Sequence, residues 1–348
     1  MNPRTISAFA LASLLLLGTG AEGGAIDGTF IQLHRGVAER SAREWQADFK
    51  RAKELGGTVL IVQWTAEEPI LYFQPAGEAP PRMTETYPTL ERIFDAAEAE
   101  GMELIIGLQH SPEYWEQIKS RDKVVRDFFR LRMARNERVQ KALLATFGDR
   151  AAWTGYYIPD EIDDLSWRAA ERLAHLRMYL QGMTGILRRN DPARFVTASS
   201  FFRGRTAPDL MAANLMDIVE GSGLDVLLVQ DGIGVGDPPI RYVPLYFDIL
   251  ARIWNNAAEE GAGKDASDVK RGPLPSLWCV IETFRQTSDP NEPFAAVPAP
   301  AARLAEQIRA ARPHFERLIL FTYSDYLNPD LGDEAKAGFG AIRDLPNP

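Results

Sequence analysis

The chain alternates short apolar, β-prone runs with longer amphipathic ones, and it does so eight times. The apolar runs are GTFIQL (28–33), TVLIVQW (58–64), MELIIGLQ (102–109), WTGYYI (153–158), RFVTASSFF (194–202), LDVLLVQ (224–230), LWCVIE (277–282) and LILFTY (318–323). Helical spacing follows each, over 41–55, 87–100, 116–147, 166–189, 208–220, 243–260, 299–315 and 332–342. The first window opens on Ser41 with Glu44 three residues on, a capping-box spacing, and sets Trp45, Phe49, Ala52 and Leu55 along one face. Strands apolar on both faces, each followed by a helix, build a parallel sheet covered on both sides. Eight such pairs predict a closed (β/α)8 TIM barrel, a single α/β domain over 26–348. An open doubly wound sheet is the alternative; the first strand lacks the glycine fingerprint that such a sheet would carry.

Residues 1–25 read differently. Arg4, an apolar run from Ile6 to Leu17 and the small-residue stretch GTGAEGGA follow the order of a secretory signal, which predicts a periplasmic or secreted protein. The run is short for a bilayer span, so stable membrane insertion is not expected once the signal is removed; an uncleaved, tethering signal is the alternative. Cys279 is the single cysteine, which excludes an intrachain disulfide and argues against a thiolate metal site. Thirty-nine basic against 48 acidic residues, net charge −9, with no basic–aromatic cluster, argue against nucleic acid as a partner. DGIGVGD (231–237) lacks the spacing and the Lys-Ser/Thr of a phosphate loop, and no cofactor is expected; it reads as a flexible turn where substrate can approach the backbone.

In a barrel the strand C-termini converge on one rim, where chemistry is placed. Here they carry Gln32 and His34, Gln63 and Trp64, Gln109 and His110, Asp160 and Glu161, Ser199 and Ser200, Gln230 and Asp231, Glu282, and Tyr323 with Ser324 and Asp325. Glu282 ends an apolar run, where an ionised carboxylate is costly unless bonded or paired. An ion pair with Arg285 or another rim arginine would be its structural use. Glu161 stands among Asp160, Asp163 and Asp164, crowding that favours a retained proton and suits a general acid. Asp163 and Asp164 are expected to meet the N-terminus of the following helix. Carboxyl groups on strands four and seven can flank a bond across the mouth, as glycosidic cleavage requires. Trp64, Tyr114, Trp115, Phe284, Tyr323 and Tyr326 offer apolar faces, and Gln32, Gln63, Gln109 and Gln230 offer donors and acceptors to a carbohydrate. Trp153 and Trp278, inside strands, are assigned to packing.

Glu161 after strand four and Glu282 after strand seven resemble the arrangement of the clan A (β/α)8 glycoside hydrolases. More narrowly, GTFIQL, IPDEID, VQDGIG and IETF resemble a bacterial family of glycoside-hydrolase-like barrels catalogued as a domain of unknown function. The resemblance implies a glycosidase with Glu161 as acid/base and Glu282 as nucleophile or base. The rim residues expected to contact a carbohydrate substrate are Gln32, Gln63, Trp64, Gln109, His110, Asp160, Gln230, Phe284 and Tyr323. Two departures stand out. Asp160 replaces the asparagine that in the clan donates to the sugar 2-hydroxyl, and no tyrosine ends strand six, where Gln230 and Asp231 stand instead. Asp231 thereby becomes a third catalytic candidate, a base that positions water in an inverting reaction. The alternatives are a non-catalytic carbohydrate-binding barrel and a metal-dependent hydrolase using His34 and His110 with Asp231 or Glu161. Neither HxH nor HExxH occurs, and His175 and His314 fall in helical windows.

Overall fold

A computed structural model describes residues 24–262, 273–289 and 292–346. The export signal read at 1–25 lies, but for its last two residues, outside the described residues. Eight parallel strands close into a barrel. They are β1 (Gly28–Ile31), β2 (Val59–Val62), β3 (Glu103–Gly107), β4 (Trp153–Asp163), β5 (Phe195–Phe201), β6 (Val226–Gln230), β7 (Ser276–Glu282) and β8 (Arg317–Phe321). Each pairs with its neighbour in sequence, and β8 returns to β1 through Gly28↔Ile319 and Thr29↔Leu320.

The two-residue period of a strand sorts these side chains into two cores. Phe30, Ile61, Ile105, Tyr157, Leu228, Trp278, Val280 and Ile319 fill the barrel. Their sequence neighbours Ile31, Leu60, Val62, Ile106, Val229, Cys279, Ile281 and Leu320 face the helices. Burial on both faces is why the strands read as unbroken apolar runs. Each large side chain so buried stabilises the fold by roughly 1.5–3 kcal/mol. Trp153 and Trp278 pack as expected, one in each core.

The helical layer is α1 (Ala42–Glu54), α2 (Thr89–Glu100), α3 (Asp122–Phe147), α4 (Ala170–Asn190), α5 (Pro208–Val219), α6 (Val243–Ala262), α7 (Ala301–Ala311) and α8 (Asp333–Arg343). The Ser41–Glu44 capping box is formed at α1. The window 116–147 is broken: a short helix Tyr114–Gln117 precedes α3, and Arg121 between them is extended. α4 starts at Ala170, later than the spacing suggested, because Asp163 Oδ1 accepts the N–H groups of Leu165 and Ser166 at 2.8 and 2.7 Å and closes a separate turn first. Asp163 therefore caps that turn and not the helix. Among the described residues no helix is long and apolar enough to cross a membrane.

Two features shape the rim. β4 pairs with β5 through Ile158↔Ala198 and next through Ile162↔Ser200, so two extra residues bulge on β4 and carry it past its expected end at Ile158. The loops after β2 and β7 build small sheets of their own, Ala66–Glu67 with Ile70–Leu71 and Glu85–Thr86, and Phe284–Gln286 with Ala296–Pro298.

Candidate active site

Extending the inward series of each strand by two residues reaches the rim, and it selects Gln32, Gln63, Glu161, Gln230 and Glu282 for the mouth. A bulge of two residues preserves this alternation on β4: Tyr157 lies in the barrel interior, while Ile158 and Ile162 lie in the outer core. Glu161 is partly exposed, and its Oε1 accepts from Gln230 Nε2 at 2.7 Å. Its main-chain carbonyl accepts from the Tyr114 hydroxyl at 2.7 Å. Burial pushes the Glu161 carboxyl above its ordinary range, against the opposing Gln230 bond and the nearby His110.

Glu282 is 4% exposed, and its Oε2 accepts from the main-chain N–H groups of Gly234 at 2.6 Å and Val235 at 3.3 Å. Burial first, and then the charge of Asp231, push its pKa up to about 8; the charge of Glu161 acts in the same direction. The two glutamates thus sense each other across the mouth. Among the described residues no arginine seals Glu282: Arg285 is exposed, and Arg303 bonds the main-chain carbonyl of Glu282 and not its carboxylate.

Amides and rings complete the mouth. Gln32 Nε2 donates to Gln63 Oε1 at 2.8 Å, and Gln230 also reaches Ser199 Oγ at 3.3 Å. The Trp64 and His110 rings stack 4.6 Å apart, so each covers a face of the other. Trp64 Nε1 is tied to the Leu33 carbonyl, and His110 Nδ1 lies 2.7 Å from Glu67. Trp115 meets Phe201 on one side of the mouth; Phe284 meets Phe321, Tyr326 and Phe294 on the other.

Several expected site residues stand elsewhere. Asp160 has the opposite parity to Glu161 and points into the helix layer, where it is 3% exposed and paired with Arg132 of α3 at 3.0 Å and the Tyr179 hydroxyl of α4. It is a buried ion pair and not a sugar contact. Asp231 follows the inward Gln230 and for the same reason faces outward; fully buried, it bonds Gln307 of α7 at 2.6 Å and cannot position water for a substrate. Tyr323 is 2% exposed and packs on Phe339, because β8 ends at Phe321 and Thr322 caps a short helix Tyr323–Tyr326. Phe284, 4% exposed, lies beneath the aromatic wall, and Gln109, 2% exposed, reaches Glu68 at 3.3 Å. Within the glycine loop 231–237, Gly234 lies against Glu282: a Cβ there would stand 2.7 Å from Glu282 Oε2 and 2.8 Å from the Phe284 ring. His34 is exposed and accepts from the Gly36 N–H. Among the described residues no group of three or more His, Cys, Asp and Glu is placed to hold a metal ion.

The supporting residues Arg132, Tyr179, Arg303 and Gln307 were not singled out from the sequence. A signal existed. The buried stripe of α3 runs Val125, Phe128, Phe129, Arg132, Asn136, Val139, Gln140 and Leu143, and that of α7 runs Leu304, Gln307, Ile308 and Ala311. A polar residue on an apolar stripe must find a buried partner, and for Arg132 and Gln307 the partners are the outward carboxylates Asp160 and Asp231.

Known proteins agree with this architecture. A candidate alpha-L-fucosidase from Bacteroides thetaiotaomicron superposes with a TM-score of 0.66 at 18% identity, over 98% of both chains. A beta-galactosidase from Marinomonas ef1 superposes with a TM-score of 0.52 at 10% identity, over 91% of this chain and 58% of that one. At such identities the likeness is one of fold. In sequence the chain is 26% identical over 297 residues to the uncharacterized protein YbcH of Escherichia coli (strain K12), across 85% of this chain and 88% of YbcH. Residues 26–332 match the family model described as Domain of unknown function (DUF4434), and the chain belongs to that family.

Proposed function

We propose that this protein is a glycoside hydrolase that cleaves a poly- or oligosaccharide, with Glu161 as acid/base and Glu282 as nucleophile or base. One observation carries the reading: two glutamates from β4 and β7 meet at one barrel mouth in unlike settings, one partly open and held by a side-chain amide, the other buried and held by two main-chain N–H groups. The open one can exchange its proton with water between turnovers. The fixed one is suited to the anomeric carbon, where position matters more than exchange. Gln32, Gln63, Gln230 and His110 supply hydrogen-bonding groups, and Trp115, Phe201, Phe321 and Tyr326 supply apolar faces. The N-terminal signal pattern supports action outside the cytoplasm.

The test is a screen of glycans with wild type, Glu161→Gln and Glu282→Gln, reading turnover and binding separately. Each amide variant should lose about a hundredfold to ten-thousandfold in turnover while binding persists. Binding with no turnover by the wild type on any glycan would instead indicate a non-catalytic carbohydrate-binding barrel.

A further inference from the structure

Behind Glu282, on the side away from the mouth, lies a closed circuit of buried hydrogen bonds. Asp231 Oδ1 accepts the N–H of Ile233 at 3.2 Å and that of Glu282 itself at 3.4 Å. Asp231 Oδ2 accepts Gln307 Nε2 at 2.6 Å, and the same amide nitrogen reaches the Glu282 carbonyl at 3.1 Å. Gln307 cannot turn over freely, because its Oε1 accepts Arg303 Nε at 3.1 Å. Arg303 then spreads over the carbonyls of Glu282 at 3.1 Å, Ile233 at 3.4 Å, and Phe284. Asp231 is fully buried and Gln307 is 1% exposed.

We propose that Asp231, with Gln307 and Arg303 of α7, is the positioning device of Glu282: one buried carboxylate fixes both the Glu282 peptide and the loop that cages its side chain. The bond to Ile233 holds the loop, and the next two N–H groups, of Gly234 and Val235, are those that grip Glu282 Oε2. The bond to the Glu282 N–H, with Gln307 and Arg303 on its carbonyl, holds the strand end from which the side chain projects. The role for catalysis rests on the glycosidase reading above; the geometry does not.

The device also sets where a proton resides. Asp231 and Glu282 are adjacent, buried carboxyls that cannot both ionise cheaply. Burial raises Asp231 to about 6 and, with the charge of Asp231, Glu282 to about 8. Arg303 faces the pair from α7, Cys279 from β7 and Glu161 from across the mouth, while Arg285 acts on Arg303. Asp231 receives three N–H donors and therefore takes the negative charge first, leaving on Glu282 a proton that it must give up before it acts as nucleophile or base.

The protonation of Glu282 can be followed without any substrate, by infrared titration of its carboxyl band, assigned through the loss of that band in Glu282→Gln. Asp231→Asn removes the neighbouring charge and should lower the Glu282 midpoint by about one to two pH units. Gln307→Met withdraws a donor from Asp231, shifts the shared proton toward Asp231, and should also lower the Glu282 midpoint; it decides the matter if Asp231→Asn does not fold. A Glu282 midpoint unmoved in these variants, with cooperative thermal unfolding intact, would overturn the proposal. If the midpoints move but Glu161→Gln and Glu282→Gln cleave glycans like the wild type, the positioning device stands and the glycosidase reading falls.

Discussion

Glu282 has its pKa raised from 4.5 to about 8, chiefly by burial. A carboxyl held above its unfolded value lends stability that is fully present below that value and is lost as pH rises through the folded one. Between about pH 4.5 and 8 the wild type should therefore lose stability relative to Glu282→Gln, by up to about 5 kcal/mol in total. Chemical denaturation at several pH values checks this: the variant should be the more stable protein at pH 8 and lose that advantage near pH 4. Catalysis adds a second reading of the same group. Turnover needs Glu161 protonated and Glu282 ionised, so the working form carries one proton over these two carboxyls and activity is lost above the higher apparent pKa of that pair. The alkaline limb of kcat/KM should then lie near pH 8; a fall above pH 6 would contradict it. The sequence exposed Glu282 because it ends an apolar run, and Glu161 because it stands among crowded acids just past one, both at rim positions. It misassigned Asp160 and Asp231 for lack of one further step: each sits one residue from an inward side chain and so must face the helices.

Among the elements, β4 and α3 depend on each other most. Arg132 is fully buried, and its only carboxylate partner among the described residues is Asp160 at the bulge of β4. Arg132→Met leaves that carboxylate buried and unpaired and should cost about 3–5 kcal/mol; adding Asp160→Asn should restore much of it. Additive losses in the double variant would show that the pair is not what joins the two elements. The loop after β6 makes a sharper demand. Gly234→Ala forces a methyl against Glu282 and the Phe284 ring and should cost about 1–3 kcal/mol, with turnover lost well beyond what that destabilisation explains. A variant as active and stable as the wild type would refute the caging role of this loop. The sequence showed the glycines but not what they approach, because the occupant, Glu282, lies 48 residues further along the chain.

At the scale of the whole molecule, the barrel was legible from the count of strand–helix pairs, since a parallel sheet needs its crossovers and eight of them close. The bulge on β4 and the split before α3 were not, because register and helix breaks are settled by partners distant in sequence. The closed sheet brings β4 and β7 to one mouth, and the central claim is that their two glutamates break a glycosidic bond there. The most direct measurement is the appearance of new reducing ends when wild type, Glu161→Gln and Glu282→Gln are each incubated with a panel of oligosaccharides. The account predicts new ends from the wild type and their formation at least about a hundredfold slower from either variant. Cleavage at the wild-type rate by either amide variant would contradict it.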